Sequence, residues 1–152
     1  MYRHDCSVCA GGTYQMRINY ITFYAWELFT MHKDGTVEVI NNRQNSFNQG
    51  RGINAQPFTS KLGEWRCVGK NQVVISTADY TLQVPGSPVI SKLAFLQASL
   101  TFTNNGKDLT GTFGYSLYKL GVYPTDPGAQ PLPASTVGPY AVTGRRFYFF
   151  KR

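Results

Sequence analysis

Charge, histidine and cysteine are all scarce in this chain, and no long apolar run occurs in it. Charged residues make up 15% of the 152 positions, well under the roughly 25% usual for globular domains. The two histidines are His4 and His32. A Ser–His–Asp arrangement would have to use His32, which sits beside a turn, so no nucleophile constellation forms. The three cysteines, Cys6, Cys9 and Cys67, cannot fill a four-thiolate zinc site, so no metal centre is expected. Cys6-x-x-Cys9 lies near His4 but has no second pair, and the βαβ setting of a redox motif is missing. The pair reads as part of a flexible tail over residues 1–10, or as a local disulfide in an exported protein. Cys67, alternating with Trp65, reads as a buried, inert thiol. No stretch reaches the roughly 18 apolar residues of a helical membrane span. The polar opening, Met1 to Ala10, has no leader's apolar core. That leaves two compartments, the cytoplasm or export with a leader removed.

Rings are plentiful instead, with ten Tyr and ten Phe, a composition suited to pleated, half-buried surfaces. Helical periodicity is absent while period-two alternation recurs. Tyr14, Met16, Ile18 and Tyr20 alternate with polar residues, and so do Leu96, Ala98, Leu100 and Phe102. Lys33-Asp34-Gly35, Gly69-Lys70-Asn71 and Asn104-Asn105-Gly106-Lys107 are hairpin connections. Gly111 and Gly114 mark a bend or bulge. Tyr80 to Val84 reads as a separate short strand, Asn41 to Gln56 and Pro124 to Pro139 as long loops, and Val142 to Lys151 as the last strand. This predicts an all-β domain over residues 11–152, a single antiparallel up-and-down barrel of about eight to ten strands. An open β-sandwich is the alternative. Closure is favoured because it removes the exposed edges of a meander, and both terminal strands are strong.

The formal charge is +7, but Lys and Arg are scattered, as on a solvated surface. Rings and cations interleave over Arg145 to Arg152, a pattern that can stack on nucleic acid. A strand alternating core rings with rim cations is the commoner source of such a pattern, and no nucleic-acid partner is expected. Gly50-Arg51-Gly52 lacks the Gly-Lys-Ser/Thr ending of a phosphate loop. Asn104 to Asp108 lacks calcium-loop spacing. No cofactor is expected.

Gly11-Gly12-Thr13-Tyr14 at the first strand, Gly63-Glu64-Trp65 in mid-chain and Arg145-Arg146 near the end resemble the calycin superfamily of lipocalin-like barrels. Such barrels open with Gly-x-Trp, and a cation from the last strand covers that ring. The resemblance implies that Tyr14 takes the ring position and that Arg145 or Arg146 is the barrel-closing cation. It implies binding of a small hydrophobic molecule in the interior, with Tyr14, Trp26, Trp65, Phe95, Tyr115 and Phe147 as wall and the Pro124–Pro139 loop over the mouth. A second reading is a cofactor-independent barrel cyclase or isomerase. Glu27, between Trp26 and Leu28, and Asp79, beside Tyr80, are its candidate acid–base pair, their pKa values raised by desolvation. A third is a filled barrel whose outer rings meet a protein partner or a second copy in a homo-oligomer.

Overall fold

The computed structural model describes residues 5–46 and 56–152. Eight strands follow in order: β1 (Thr13–Asn19), β2 (Tyr24–Met31), β3 (Thr36–Asn41), β4 (Lys61–Gly69), β5 (Gln72–Tyr80), β6 (Leu93–Thr103), β7 (Asp108–Tyr118) and β8 (Val137–Arg146). Each pairs antiparallel with the next, and β8 returns to β1 with Tyr14 opposite Arg146 and Ile18 opposite Val142. The result is a single closed up-and-down barrel. Among the described residues there is no helix.

The turns follow their chemistry. Asp34 accepts hydrogen bonds from the amide and hydroxyl of Thr36, at 2.9 and 2.7 Å, while Gly35 takes a left-handed φ of 93°. Asn104, Asn105 and Gly106 all have positive φ, which Asn and Gly tolerate best. The register of β7 against β8 slips between Phe113 and Tyr115, at Gly114. A Cβ on Gly111 would lie 1.9 Å from the Ser99 carbonyl oxygen, so β6 and β7 approach there only because that position has no side chain.

Two elements differ from expectation. Gln72–Tyr80 is one continuous strand, since Ala78 to Tyr80 keep their ladder with Leu93 to Phe95 of β6. The last strand starts earlier, at Val137, and ends at Arg146. Pro139 is admitted because it falls where the β7 ladder slips, a place with no amide requirement. The aromatic run therefore lies beyond the sheet, with Phe149 and Phe150 exposed.

The barrel packs as two halves. Towards one end Tyr14, Phe29, Met31, Val37, Val73, Leu100, Phe102 and Leu109 fill the interior. Residues 5–12 lie across this end, departing from the flexible tail expected for 1–10, of which 1–4 fall outside the described residues. Gly11 donates to the Met31 carbonyl, Met31 to the Gly12 carbonyl, and Asn71 to the Asp5 carbonyl. A Cys6–Cys67 disulfide fastens the segment to β4. The local Cys6–Cys9 bridge, one of the two readings of that pair, does not form, and the reading of Cys67 as an inert thiol is corrected: Cys67 faces inward at this end, where Cys6 reaches it. Cys9 is the free, buried thiol, pushed up to about 11 by burial. Replacing Cys6 and Cys67 together with Ser is expected to lower stability by about 2–4 kcal/mol, the usual effect of opening a long covalent loop. Guanidinium unfolding of the two proteins checks this; an unchanged midpoint would mean the plug contributes nothing.

Candidate functional site

Inward positions alternate along every strand, so each strand contributes to both halves of the interior. In the second half the inward residues change character. Glu27 on β2, Asn41 on β3, Lys61 on β4 and Asp79 on β5 form a polar stripe across four neighbouring strands. The register accounts for it: Glu27 pairs with Asn41, Val39 with Lys61 and Leu62 with Ala78, which puts Lys61 next to Asp79. The Lys61 ammonium is ion-paired with the Glu27 carboxylate, and Asn41 Nδ2 donates to the same oxygen, Glu27 Oε2, at 3.1 Å. Lys61 Nζ also lies 5.1 Å from the Phe58 ring centre.

Asp79 is the exception in the stripe. It is buried, and its Oδ1 has no hydrogen-bond donor. Burial pushes its carboxyl up to about 7, against the pull of the Lys61 charge and with a further push from Glu27. Unpartnered buried acceptors are rare in folded proteins, which makes this atom informative.

Asp79 and Lys61 line a cavity of about 430 Å³ that also includes Tyr20, Phe23, Leu96, Tyr115, Leu117 and Tyr140. Tyr20 holds the aromatic wall together, stacking on Phe23 and meeting Tyr140, each at 4.8 Å between ring centres. Burial is the main cause that raises the Tyr20 phenol pKa, and the nearby Glu27 carboxylate adds to it, so Tyr20 stays a hydrogen-bond donor. Arg43 and Lys92 stand at the rim. Arg43 lies over the Phe23 ring at 5.5 Å and donates to the Tyr24 carbonyl, while Lys92 donates to Gln56 Oε1 at 3.3 Å.

The expected wall residues are scattered. Tyr115 lines the cavity. Tyr14 is in the packed half, where its hydroxyl donates to the Cys9 carbonyl and burial pushes its phenol up to about 12. Trp65 points inward in that half too, its Nε1 donating to the His32 carbonyl at 2.7 Å. Trp26 is 41% exposed on the outside, near the Arg17 guanidinium. Phe95 is also outside, edge-on to Tyr118, and Phe147 lies past β8 at the plugged end. Of the Pro124–Pro139 loop, Val137 reaches the cavity wall. The two candidate cations part: Arg146 lies over Tyr14 at 5.9 Å and donates to the Val8 carbonyl, whereas Arg145 is 87% exposed beside Asp108. The acid–base candidates Glu27 and Asp79 are both buried on the stripe.

Tyr20, Tyr140 and Lys61 were not among the expected site residues. Tyr20 had a signal, as the next member of the Tyr14–Met16–Ile18 alternation. Lys61 had none, because its partner Glu27 is 34 positions away. The phosphate-loop question at Gly50-Arg51-Gly52 and the position of His4 fall outside the described residues. Cys6, held in a disulfide, is no zinc ligand. Among the described residues no helix is long and apolar enough to cross a membrane. No family model, no curated protein and no solved structure matches this chain.

Proposed function

We propose that this protein is a binding protein that holds a small, largely apolar molecule in the unpacked half of its barrel. The observation that carries this is the cavity itself: about 430 Å³ walled by Tyr20, Phe23, Leu96, Tyr115, Leu117 and Tyr140, with Asn41, Lys61 and Asp79 on one side and further polar groups, Arg43 and Lys92 among them, at the rim. Apolar walls with a few convergent polar groups are what small-molecule sites consist of. The closed eight-stranded barrel is compatible with a lipocalin-like fold, and Arg146 over Tyr14 supports the resemblance to calycins. That likeness is not what the function rests on.

Nile red, a neutral dye that fluoresces on leaving water, tests the proposal. Saturable binding of one dye per chain is expected. Ala94, a small buried wall residue, offers a block: Ala94→Trp should weaken binding at least about tenfold, roughly 1.4 kcal/mol. Unchanged circular dichroism establishes that the variant folds. Absence of saturable binding, or full binding by a folded Ala94→Trp, would overturn the proposal.

A second reading, the cofactor-independent cyclase or isomerase, has one observation in its favour. A carboxyl near pH 7 facing a cavity is matched to moving protons at neutral pH. The base would be Asp79, since Glu27 is engaged by Lys61 and Asn41. An Asp79→Asn variant that keeps dye affinity and loses turnover would favour the enzyme. The third reading, an interaction module, asks for a filled barrel, and the cavity favours the ligand reading over it.

A further inference from the structure

We infer that the occupant of the cavity is a small organic cation, a protonated amine on an apolar or aromatic body, with its ammonium group on Asp79. This rests on the ligand-binding reading above and adds the ligand's charge.

Asp79 is 6% exposed, lines the cavity, and leaves Oδ1 without a donor. A donor brought by a ligand would complete it, and a cationic donor would do more. The buried stripe holds two carboxylates, Glu27 and Asp79, and one ammonium, Lys61, which is committed to Glu27. With Asp79 ionised, the stripe is one negative charge in excess. Buried charge without a counter-charge is strongly unfavourable, and a protonated amine supplies the missing one. The surrounding faces suit the same ligand: Tyr20, Tyr115 and Tyr140 line the cavity with Asp79, and aromatic faces attract cations.

The opposite charge type fits worse. An anionic ligand would find Arg43 and Lys92 at the rim, each of which also holds one protein oxygen, the Tyr24 carbonyl and the Gln56 side-chain oxygen. An anion held there would leave the deeper Asp79 oxygen unpaired. The charged and titratable groups around Asp79 are Glu27 from β2, Lys61 from β4, Tyr20 after β1, Tyr115 from β7, Tyr140 from β8, and Arg43 and Lys92 from the loops. Amine affinity should be level above pH 7 and fall about tenfold per unit as pH drops below it, because protonating Asp79 removes the charge that the ammonium reads.

Calorimetric titration at pH 8 with 2-phenylethylamine, 2-phenylethanol and phenylacetate varies only the end group. The amine is expected to bind at least about tenfold tighter than the alcohol, with the carboxylate weakest. In Asp79→Asn, with folding checked by circular dichroism, the amine's advantage over the alcohol and its pH dependence should both disappear. Equal binding of amine and alcohol, tightest binding of phenylacetate, or no binding of the amine, with Nile red still saturating, would overturn the cation inference and leave the cavity reading intact. Failure of every probe, Nile red included, would overturn both.

Discussion

Replacing Asp79 with Asn is expected to make the protein more stable at pH 8, by about 2–4 kcal/mol, and to change it little near pH 4. The sign follows from proton linkage. Burial raises the folded-state carboxyl to about 7 from an ordinary value of 3.8, so between those values the folded chain holds a proton that the unfolded chain has released. Stability therefore falls as pH rises from about 4 to about 7, and levels off above that. Asn carries no charge and escapes the fall. Urea unfolding of both proteins at pH 4, 6 and 8 checks it. A loss of stability at pH 8 would mean that the carboxylate has a favourable partner in the folded state. A residue that costs stability at neutral pH, at an inward position of a rigid strand, is what a functional site leaves behind.

The largest single-residue losses are expected at the other end of the stripe. Glu27→Leu and Lys61→Met each strand one buried charge, which costs about 3–5 kcal/mol when its partner is removed. Combining Lys61→Met with Glu27→Leu strands neither charge of the pair, and should recover most of that loss. A double-mutant cycle by chemical unfolding measures the difference. Single variants within about 1 kcal/mol of the parent would mean that the pair is not sequestered from water. The two replacements should also move Asp79 in opposite directions. Removing Lys61 takes away the charge that lowers its pKa, and removing Glu27 takes away one that raises it.

Local patterning made the barrel legible. The alternations through Tyr14–Tyr20 and Leu96–Phe102, with turns at Asp34-Gly35 and Asn104–Lys107, gave strands and connections close to those observed. The buried carboxylates were legible too, because Glu27 lies inside an apolar run and Asp79 beside Tyr80. Choosing the wall residues by their rings put Trp26 and Phe95 on the wrong face, because neighbours on a strand face opposite ways. With Glu27 inside, Trp26 must be outside. With Leu96 and Ala98 inside, Phe95 must be outside too. Neither the Lys61–Glu27 pair nor the Cys6–Cys67 bridge has a local signature. Both join residues far apart in sequence, 34 and 61 positions, and become neighbours only once the register of the closed sheet is fixed.

The most direct test is a titration of the Asp79 side-chain carbon by NMR, with and without 2-phenylethylamine. The free protein should titrate near pH 7, and saturating amine should move the midpoint down by a unit or more, about tenfold in relative affinity for the ionised form. A midpoint near the ordinary 3.8 in the free protein, unmoved by the amine, would contradict a buried carboxylate waiting for a cation in the barrel.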